Sequence, residues 1–148
     1  MEVYGLDNSP AALQLALEWL VEGNLTARLT LADARHPLPY QNNSFDALVS
    51  TQVIHHALLA TAQSTAAEIA RVVHPGGVIL VSVPASKDDD VDFVEIEPRT
   101  FLPASGSEKG LPHHIFIPEE LPELFTPFET LEVSVLGGAV IAYQGVKR

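Results

Sequence analysis

Two aspartates directly follow short apolar segments, and this position is typical of residues that bind a nucleoside. Asp7 follows the apolar segment 3–6, and Asp33 follows the alternating segment 27–32. A carboxylate at the carboxyl end of a parallel strand can accept hydrogen bonds from the hydroxyl groups of a ribose. A second carboxylate at the same sheet edge could accept one from the amino group of an adenine. Either aspartate could instead cap a helix or close an Asx-turn, but the two together favour a nucleoside site.

Two pairs of adjacent histidines are the candidates for acid–base chemistry. His55-His56 follows a predicted strand, and His113-His114 lies near the end of a long irregular segment. Imidazole titrates near neutral pH, so the pair His55-His56 could include a general base, and His113-His114 supplies a second pair. Adjacent side chains are expected to diverge, so both members of a pair should not serve one site. The spacing of the four histidines matches no known ligand pattern, and no metal site is expected.

The composition excludes several classes of protein. The chain of 148 residues has no cysteine, which excludes a disulfide framework and thiolate metal sites. Its net charge of −11 disfavours nucleic acid as a partner. The longest apolar run, near residues 77–85, is about ten residues long and too short to span a membrane. We expect no membrane association, no signal peptide and a cytoplasmic location.

The elements that must position these residues alternate between strands and helices. Strands are predicted over 3–6, 27–32, 46–51 and 78–83, and helices over 10–22 and 62–73. In both helices the apolar residues recur every three or four positions, and HPGG at 74–77 ends the second one. This alternation predicts an α/β fold with a doubly wound, mostly parallel sheet, which binds ligands at the carboxyl ends of its strands.

The remaining chain is predicted to form a lid-like loop followed by a helix and a hairpin. Periodicity disappears from Pro84 to about Ile117, and so long a loop inside a domain is typically a functional lid or a disordered segment. A short helix is expected over 118–126. Strands over 129–136 and 139–146, joined at Gly137-Gly138, are expected to close the sheet as a C-terminal antiparallel hairpin.

Three segments carry a family resemblance. They read VYGLDNSPAAL, LADARHPLPYQNNSFDALVSTQVIHHA and EIARVVHPGGVILVSVP, and they occur in this order over about residues 2–85. Together they resemble the class I S-adenosylmethionine-dependent methyltransferases of the type 11 group. The resemblance implies a Rossmann-like sheet, S-adenosylmethionine as cofactor and methyl transfer to a small-molecule acceptor. Such a displacement needs alignment and sometimes a base, but no protein nucleophile.

The resemblance also implies roles for individual residues. Cofactor-binding roles fall on Asp7, Asn8, Asp33, Ala34, Ser50, Thr51 and Gln52. The first aspartate would bind the ribose hydroxyls and the second the adenine amino group, with a backbone contact from the alanine beside it. Residues 50–52 would line the methionine end of the cofactor. The candidates around the methyl acceptor are His55, His56, His113 and His114.

The chain departs from the family at its start. The family's first strand and its glycine-rich loop, E/D-x-G-x-G-x-G, would precede Val3, where only Met1 and Glu2 stand. Because that loop lets the backbone approach the cofactor, we expect impaired activity. The missing first strand lies centrally in the family's sheet, so two inner edges would be unpaired. We expect either direct pairing of strand 3–6 with strand 46–51, or completion by a second chain in a homodimer.

The domain prediction combines these features, and three alternative functions stay open. Residues 1–148 are predicted to form one truncated methyltransferase domain, with a cofactor-side part over 1–85, a lid-like loop over 86–117, and the helix and hairpin over 118–148. The first alternative is a non-catalytic interaction or dimerisation module. The second is a relative of the tRNA wobble-uridine methyltransferases, which the acidity disfavours. The third is a short dehydrogenase relative that uses Asp7 on a ribose, which the HPGG-strand context disfavours.

Overall fold

The structure is a computed structural model that describes residues 1–87 and 92–148. The chain packs as two compact units, Met1–Pro39 and Tyr40–Arg148. The single domain expected over 1–148 stays a prediction. None of the described helices is long and apolar enough to cross a membrane.

The first unit is a strand–helix–strand element. It consists of β1 (Tyr4–Asp7), α1 (Pro10–Glu22) and β2 (Arg28–Leu31), and the two strands pair in parallel with Asp7 opposite Leu31. The helix begins at Pro10 because Ser9 caps it: the Ser9 hydroxyl accepts a hydrogen bond from the amide of Ala12 at 3.2 Å. The carboxyl ends of both strands therefore lie at one edge of the pair, as the predicted nucleoside site requires.

The second unit combines an open sheet with a smaller antiparallel sheet. Its described elements are β3 (Phe45–Thr51), α2 (Leu59–Val72), β4 (Val73–Pro84), β5 (Phe93–Glu97), β6 (Thr100–Pro103), β7 (His113–His114), α3 (Glu120–Leu124), β8 (Phe128–Leu136) and β9 (Val140–Lys147). The larger sheet has the order β3-β4-β9-β8. β3 runs parallel to β4, and β9 is antiparallel to both β4 and β8. The predicted C-terminal hairpin is present.

The core of the second unit lies against β4 and β9. One face of α2 is buried through residues such as Ala62, Ala66 and Ile69, and the alternate residues Val81 and Val83 of β4 are fully buried. Burial of each such valine or isoleucine stabilises the fold by about 1.5–3 kcal/mol. This α2–β4 packing fixes the turn that leads from β3 into α2, and that turn carries His55 and His56.

The segment predicted as a lid-like loop over 86–117 contains three short strands. β5, β6 and β7 pair in order as a three-stranded antiparallel sheet, and residues 88–91 lie outside the described residues. Pro98 and Arg99 make the two-residue turn between β5 and β6, where Arg99 has φ 59°. These strands were missed because they are short and because most of β5 is exposed, so their hydrophobic alternation is weak.

Direct pairing of the first predicted strand with the third does not occur among the described residues. β1 pairs with β2 and β3 pairs with β4, so the prediction of a β1–β3 pair is wrong. β3 is an edge strand of the larger sheet, and its residue Val49 is 66% exposed. Backbone groups at such an edge can bond to water, so an unpaired edge does not force two strands to join. Completion of the sheet by a second chain stays a prediction.

Lys147 joins the end of the last strand to the end of α2. Its ammonium group donates hydrogen bonds to the carbonyls of Ala70 and Val73, both at 2.7 Å, and to the side-chain oxygen of Asn43 at 3.0 Å. The last carbonyls of a helix lack partners within the helix, so a cation placed there satisfies them and complements the helix dipole.

We predict that Lys147→Met lowers the free energy of unfolding by about 1–3 kcal/mol, because the two carbonyls lose charged donors. Urea unfolding followed by circular dichroism measures the change. Lys109→Met, at an exposed lysine of residues 104–110, is the matched control and should change stability little. Equal effects of the two substitutions would contradict the capping role.

Candidate functional site

The first predicted site residue, Asp7, ends β1 and turns the chain into α1. Its Oδ1 accepts a hydrogen bond from the Ser9 amide at 2.7 Å, and its carbonyl accepts one from the Ala32 amide at 3.0 Å. A cavity of about 470 Å³ beside this turn is lined by Asn8, Ser9, Pro10, Leu31, Ala32 and Asp33. Asn8 and Asp33 thus share one cavity, whereas Asp7 and Ala34 do not line it.

Asp33 is held by an arginine two residues away. Arg35 Nε lies 3.0 Å from both carboxylate oxygens, and the Arg35 amide also donates to Oδ1 at 2.9 Å. These bonds lower the pKa of Asp33 to about 2, so its carboxylate is ionised at neutral pH. The Asx-turn that the sequence left open is therefore present. Arg35 already occupies part of the carboxylate. The contact of Asp33 with an adenine stays a prediction.

Of the predicted residues 50–52 at the end of β3, only Gln52 lines a second cavity. Gln52 lines a cavity of about 480 Å³ in the second unit, while Ser50 and Thr51 do not. The Gln52 amide donates to the Ser82 carbonyl at 2.9 Å, and Gln52 has φ 57°. A residue other than glycine rarely adopts this left-handed backbone, and such residues cluster at functional sites.

Three of the four candidate histidines meet in this second cavity. The ring centroids lie 3.8 Å apart for His55 and His56, 4.8 Å for His56 and His113, and 5.6 Å for His55 and His113. The expectation that adjacent side chains diverge is wrong for the first pair. That rule describes strands, whereas residues 54–57 form a turn that directs both rings to one side.

The fourth histidine belongs to a separate hydrogen-bonded network. His113 and His114 are consecutive residues of β7, so their side chains point to opposite faces. His114 is fully buried, and its Nδ1 lies 2.8 Å from the Thr100 hydroxyl, which donates to Glu97 Oε1 at 3.0 Å. The same Glu97 oxygen accepts the Leu59 amide at 2.8 Å. His114 therefore links β6 and β7 to the start of α2 and is not a lining residue of the cavity.

Burial favours the neutral form of two cavity histidines, His55 and His113, at neutral pH. The pKa of His55 is lowered to about 3, mainly by removal from water and in addition by the neighbouring imidazoles His56 and His113. Burial also lowers the pKa of His113, an effect that the nearby Glu108 carboxylate opposes. Neutral imidazoles present a nitrogen lone pair, which can accept a proton or bind a metal ion.

Two charged residues of the cavity were missed by the sequence analysis. The Glu108 carboxylate lies 3.5 Å from His56 Nε2 and 3.4 Å from His113 Nε2. Lys87, also a lining residue, places its ammonium group 4.2 Å from the ring centroid of Phe101. Both residues come from the segment without periodicity. Nothing in the SGSEKG sequence distinguishes Glu108 from the chain's other glutamates, so only the fold could identify it.

We predict that His55 makes folding stability depend on pH. Its pKa is about 3 in the folded chain, against about 6.5 when unfolded. Between these values the unfolded chain binds a proton that the folded chain does not. Stability therefore falls as pH decreases from about 6.5 towards 3, by at most about 1.4 kcal/mol per pH unit for this residue.

Urea unfolding at several pH values tests this expectation, with His55→Gln as the variant and His36→Gln, at an exposed histidine, as the control. The first substitution should reduce the acid-side slope and the second should not. An imidazole resonance of His55 that titrates near pH 6.5 in the folded chain would contradict the prediction.

Comparison with known proteins identifies the family. A family model described as a methyltransferase domain (Methyltransf_11) matches residues 1–81, which include both strand-end aspartates and the His55-His56 turn. No curated protein sequence matches the chain.

Solved structures share the fold at low sequence identity. The PH0226 protein of Pyrococcus horikoshii OT3 has a TM-score of 0.79 and 18% identity, with 100% of this chain and 72% of that one covered. An S-adenosylmethionine-dependent methyltransferase of Methanosarcina mazei has a TM-score of 0.76 and 22% identity, with 99% of this chain and 82% of that one covered. The third is a 1,6-didemethyltoxoflavin-N1-methyltransferase of Burkholderia thailandensis with bound S-adenosylhomocysteine. It has a TM-score of 0.71 and 17% identity, with 99% of this chain and 61% of that one covered.

The predicted α/β, Rossmann-like fold is thereby confirmed, and so is S-adenosylmethionine as the cofactor of the family. This chain spans 61–82% of the lengths of the three proteins. The family match over residues 1–81 agrees with the order of the three sequence segments and with the parallel β1–β2 pair. The chain belongs to the methyltransferase domain family.

Proposed function

We propose that this chain takes part in S-adenosylmethionine-dependent methyl transfer to a small-molecule acceptor. The observation that carries the proposal is the placement of Asp7 and Asp33 within the family-matched region. Asp7 is the last residue of β1 and Asp33 follows the parallel strand β2, and Asp33 lines a cavity there together with Asn8. Ligands of open α/β sheets bind at such ends.

The carboxylate of Asp7 has capacity left for a ribose. Among the described residues only the Ser9 amide donates to it, and that bond uses Oδ1. An ionised carboxylate has about four acceptor positions, so two ribose hydroxyls can still be bound. Asn8 would lie beside the ribose, and Asp33 with the Ala34 amide would contact the adenine. Ser50, Thr51 and Gln52 would hold the methionine end.

The histidine cavity is proposed to take the methyl acceptor. Its volume of about 480 Å³ falls within the range of small-molecule sites. When bound, the cofactor supplies an electrophilic methyl group. The imidazole of His56 or His113 can accept the proton that an acceptor hydroxyl or amine loses, and the Glu108 carboxylate at 3.4–3.5 Å stabilises the resulting imidazolium.

A small molecule fits the charge of the chain better than a nucleic acid. The net charge of −11 opposes binding to a phosphate backbone, which also disfavours a tRNA substrate. One structural neighbour holds the small molecule 1,6-didemethyltoxoflavin, whereas another forms a complex with the Trm112 methyltransferase activator. We keep the small-molecule acceptor and a cytoplasmic location as parts of this proposal.

A second candidate function is a non-catalytic interaction module, including a homodimer. The observation that favours it is the exposure of α1, which has no buried residue. Trp19 is 63% exposed, Val21 is 72% exposed, and Leu25, just after the helix, is 66% exposed. Exposed apolar side chains in one region often mark a surface that binds another protein.

We predict that Asp7→Asn weakens binding of S-adenosylmethionine by about 10- to 100-fold, because it removes charged hydrogen bonds to the ribose. Calorimetric titration of the purified chain measures the affinity. Glu129→Gln, at an exposed carboxylate of β8, is the matched control and should leave it unchanged.

Two results would contradict the proposal. Equal affinity of the wild type and Asp7→Asn would exclude the ribose role of Asp7. Failure of the wild type to bind S-adenosylmethionine, in a chain that elutes as a dimer on a sizing column, would instead support the interaction module.

A further inference from the structure

We propose that His55, His56 and His113 form a binding site for a divalent metal ion of the zinc class, with Glu108 as the fourth ligand. Each of the three histidines offers one ring nitrogen, and these nitrogens all lie within 4.8 Å of one another. No metal site is expected from the sequence, because the spacing of the four histidines matches no known ligand pattern. The turn at residues 54–57 and β7 bring the three rings together.

The spacing is close to that of a tetrahedral site. Two nitrogens bound to one zinc ion at about 2.0 Å lie about 3.3 Å apart. The three nitrogens therefore need to approach by at most about 1.5 Å, which small ring rotations can supply. His56 has room for such a rotation, because its side chain is 30% exposed and lies in a turn.

Two nitrogens of the cluster are buried without a hydrogen-bond partner. They are His55 Nδ1 and His113 Nε2, in residues that are 4% and 9% exposed. Leaving such a group unsatisfied costs about 1–3 kcal/mol, so native proteins generally pair it. His114 Nε2, outside the cluster, is also buried without a hydrogen-bond partner and lies 3.7 Å from a Glu120 oxygen, whereas His114 Nδ1 lies 2.8 Å from the Thr100 hydroxyl. A bound ion would satisfy both cluster nitrogens at once.

The ligand set has the chemistry that zinc-class ions prefer. Imidazole nitrogen and carboxylate oxygen both bind zinc, and imidazole also suits nickel, copper and iron. The Glu108 carboxylate lies at 3.4 and 3.5 Å from two of the rings, so it can reach an ion placed between them.

The site lies in the cavity proposed for the acceptor, which suggests what the ion would do. Coordination lowers the pKa of a bound hydroxyl group. An acceptor hydroxyl that displaced the Glu108 carboxylate from the ion would then transfer its proton to that carboxylate, so no imidazole that holds the ion would need to act as the base. This extension rests on the proposed function, whereas metal binding itself does not.

The test is a titration of the chain, produced without a histidine tag and treated with chelator, first with Zn²⁺ and then with Co²⁺. We expect one ion per chain, low-micromolar or tighter affinity, and the visible absorption of tetrahedral Co²⁺. His56→Ala should weaken binding by at least about tenfold. Glu108→Gln should also weaken it, and His36→Ala, which removes an exposed histidine elsewhere, should not.

Circular dichroism is the control for folding of each variant. We expect the His56 and Glu108 variants to fold, because both side chains are partly exposed. Absence of Zn²⁺ binding by the wild type, or unchanged affinity in folded His56→Ala, would overturn the metal site. Neither result depends on S-adenosylmethionine. Failure of the metal site is therefore distinguishable from failure of the proposed methyl transfer, which the Asp7 titration tests.

Discussion

One backbone hydrogen bond holds the histidine cavity together. The amide of His114 donates to the carbonyl of His55 at 2.8 Å, and this bond joins the turn after β3 to the edge of the small antiparallel sheet. Because side chains alternate along a strand, the same bond that seats His114 against its buried partners directs His113 towards His55 and His56. The site thus depends on pairing between segments that are nearly 60 residues apart in sequence.

The chemistry of the cavity depends on keeping these imidazoles uncharged. Three rings within a few ångströms of one another would repel if protonated, and burial opposes protonation further. The two buried nitrogens without hydrogen-bond partners, His55 Nδ1 and His113 Nε2, lower the folding stability. Functional sites often contain groups that lower stability in this way. The separate Thr100–Glu97 network of His114 stabilises the same sheet without exposing a group to the cavity.

Much of the fold was predictable from sequence because its strands and helices are strongly patterned. The helix that begins after Ser9 has both a cap and a first-turn proline, and the predicted strand over 78–83 lies inside β4. The small sheet was not predictable, because its strands of five, four and two residues bury few apolar side chains. Local pattern carries no information on such pairing, which is set by contacts between distant segments.

The strand-end positions of the two aspartates were predictable for the same reason, whereas their binding roles stay predictions. Aspartates at strand ends can be read from sequence, and the family match covers that region. The meeting of His113 with His55 and His56, and the approach of Glu108, follow from the small sheet and could not be foreseen without it. The Arg35 contact to Asp33 also escaped prediction, although the two residues are close neighbours in the chain.

A crystal structure of the chain grown with S-adenosylhomocysteine tests the central claim most directly. The result expected is a nucleoside beside the turn from β1 into α1, with both ribose hydroxyls within hydrogen-bond distance of the Asp7 carboxylate. A nucleoside bound away from both Asp7 and Asp33 would contradict the assignment of this sheet edge as the cofactor site of a methyltransferase.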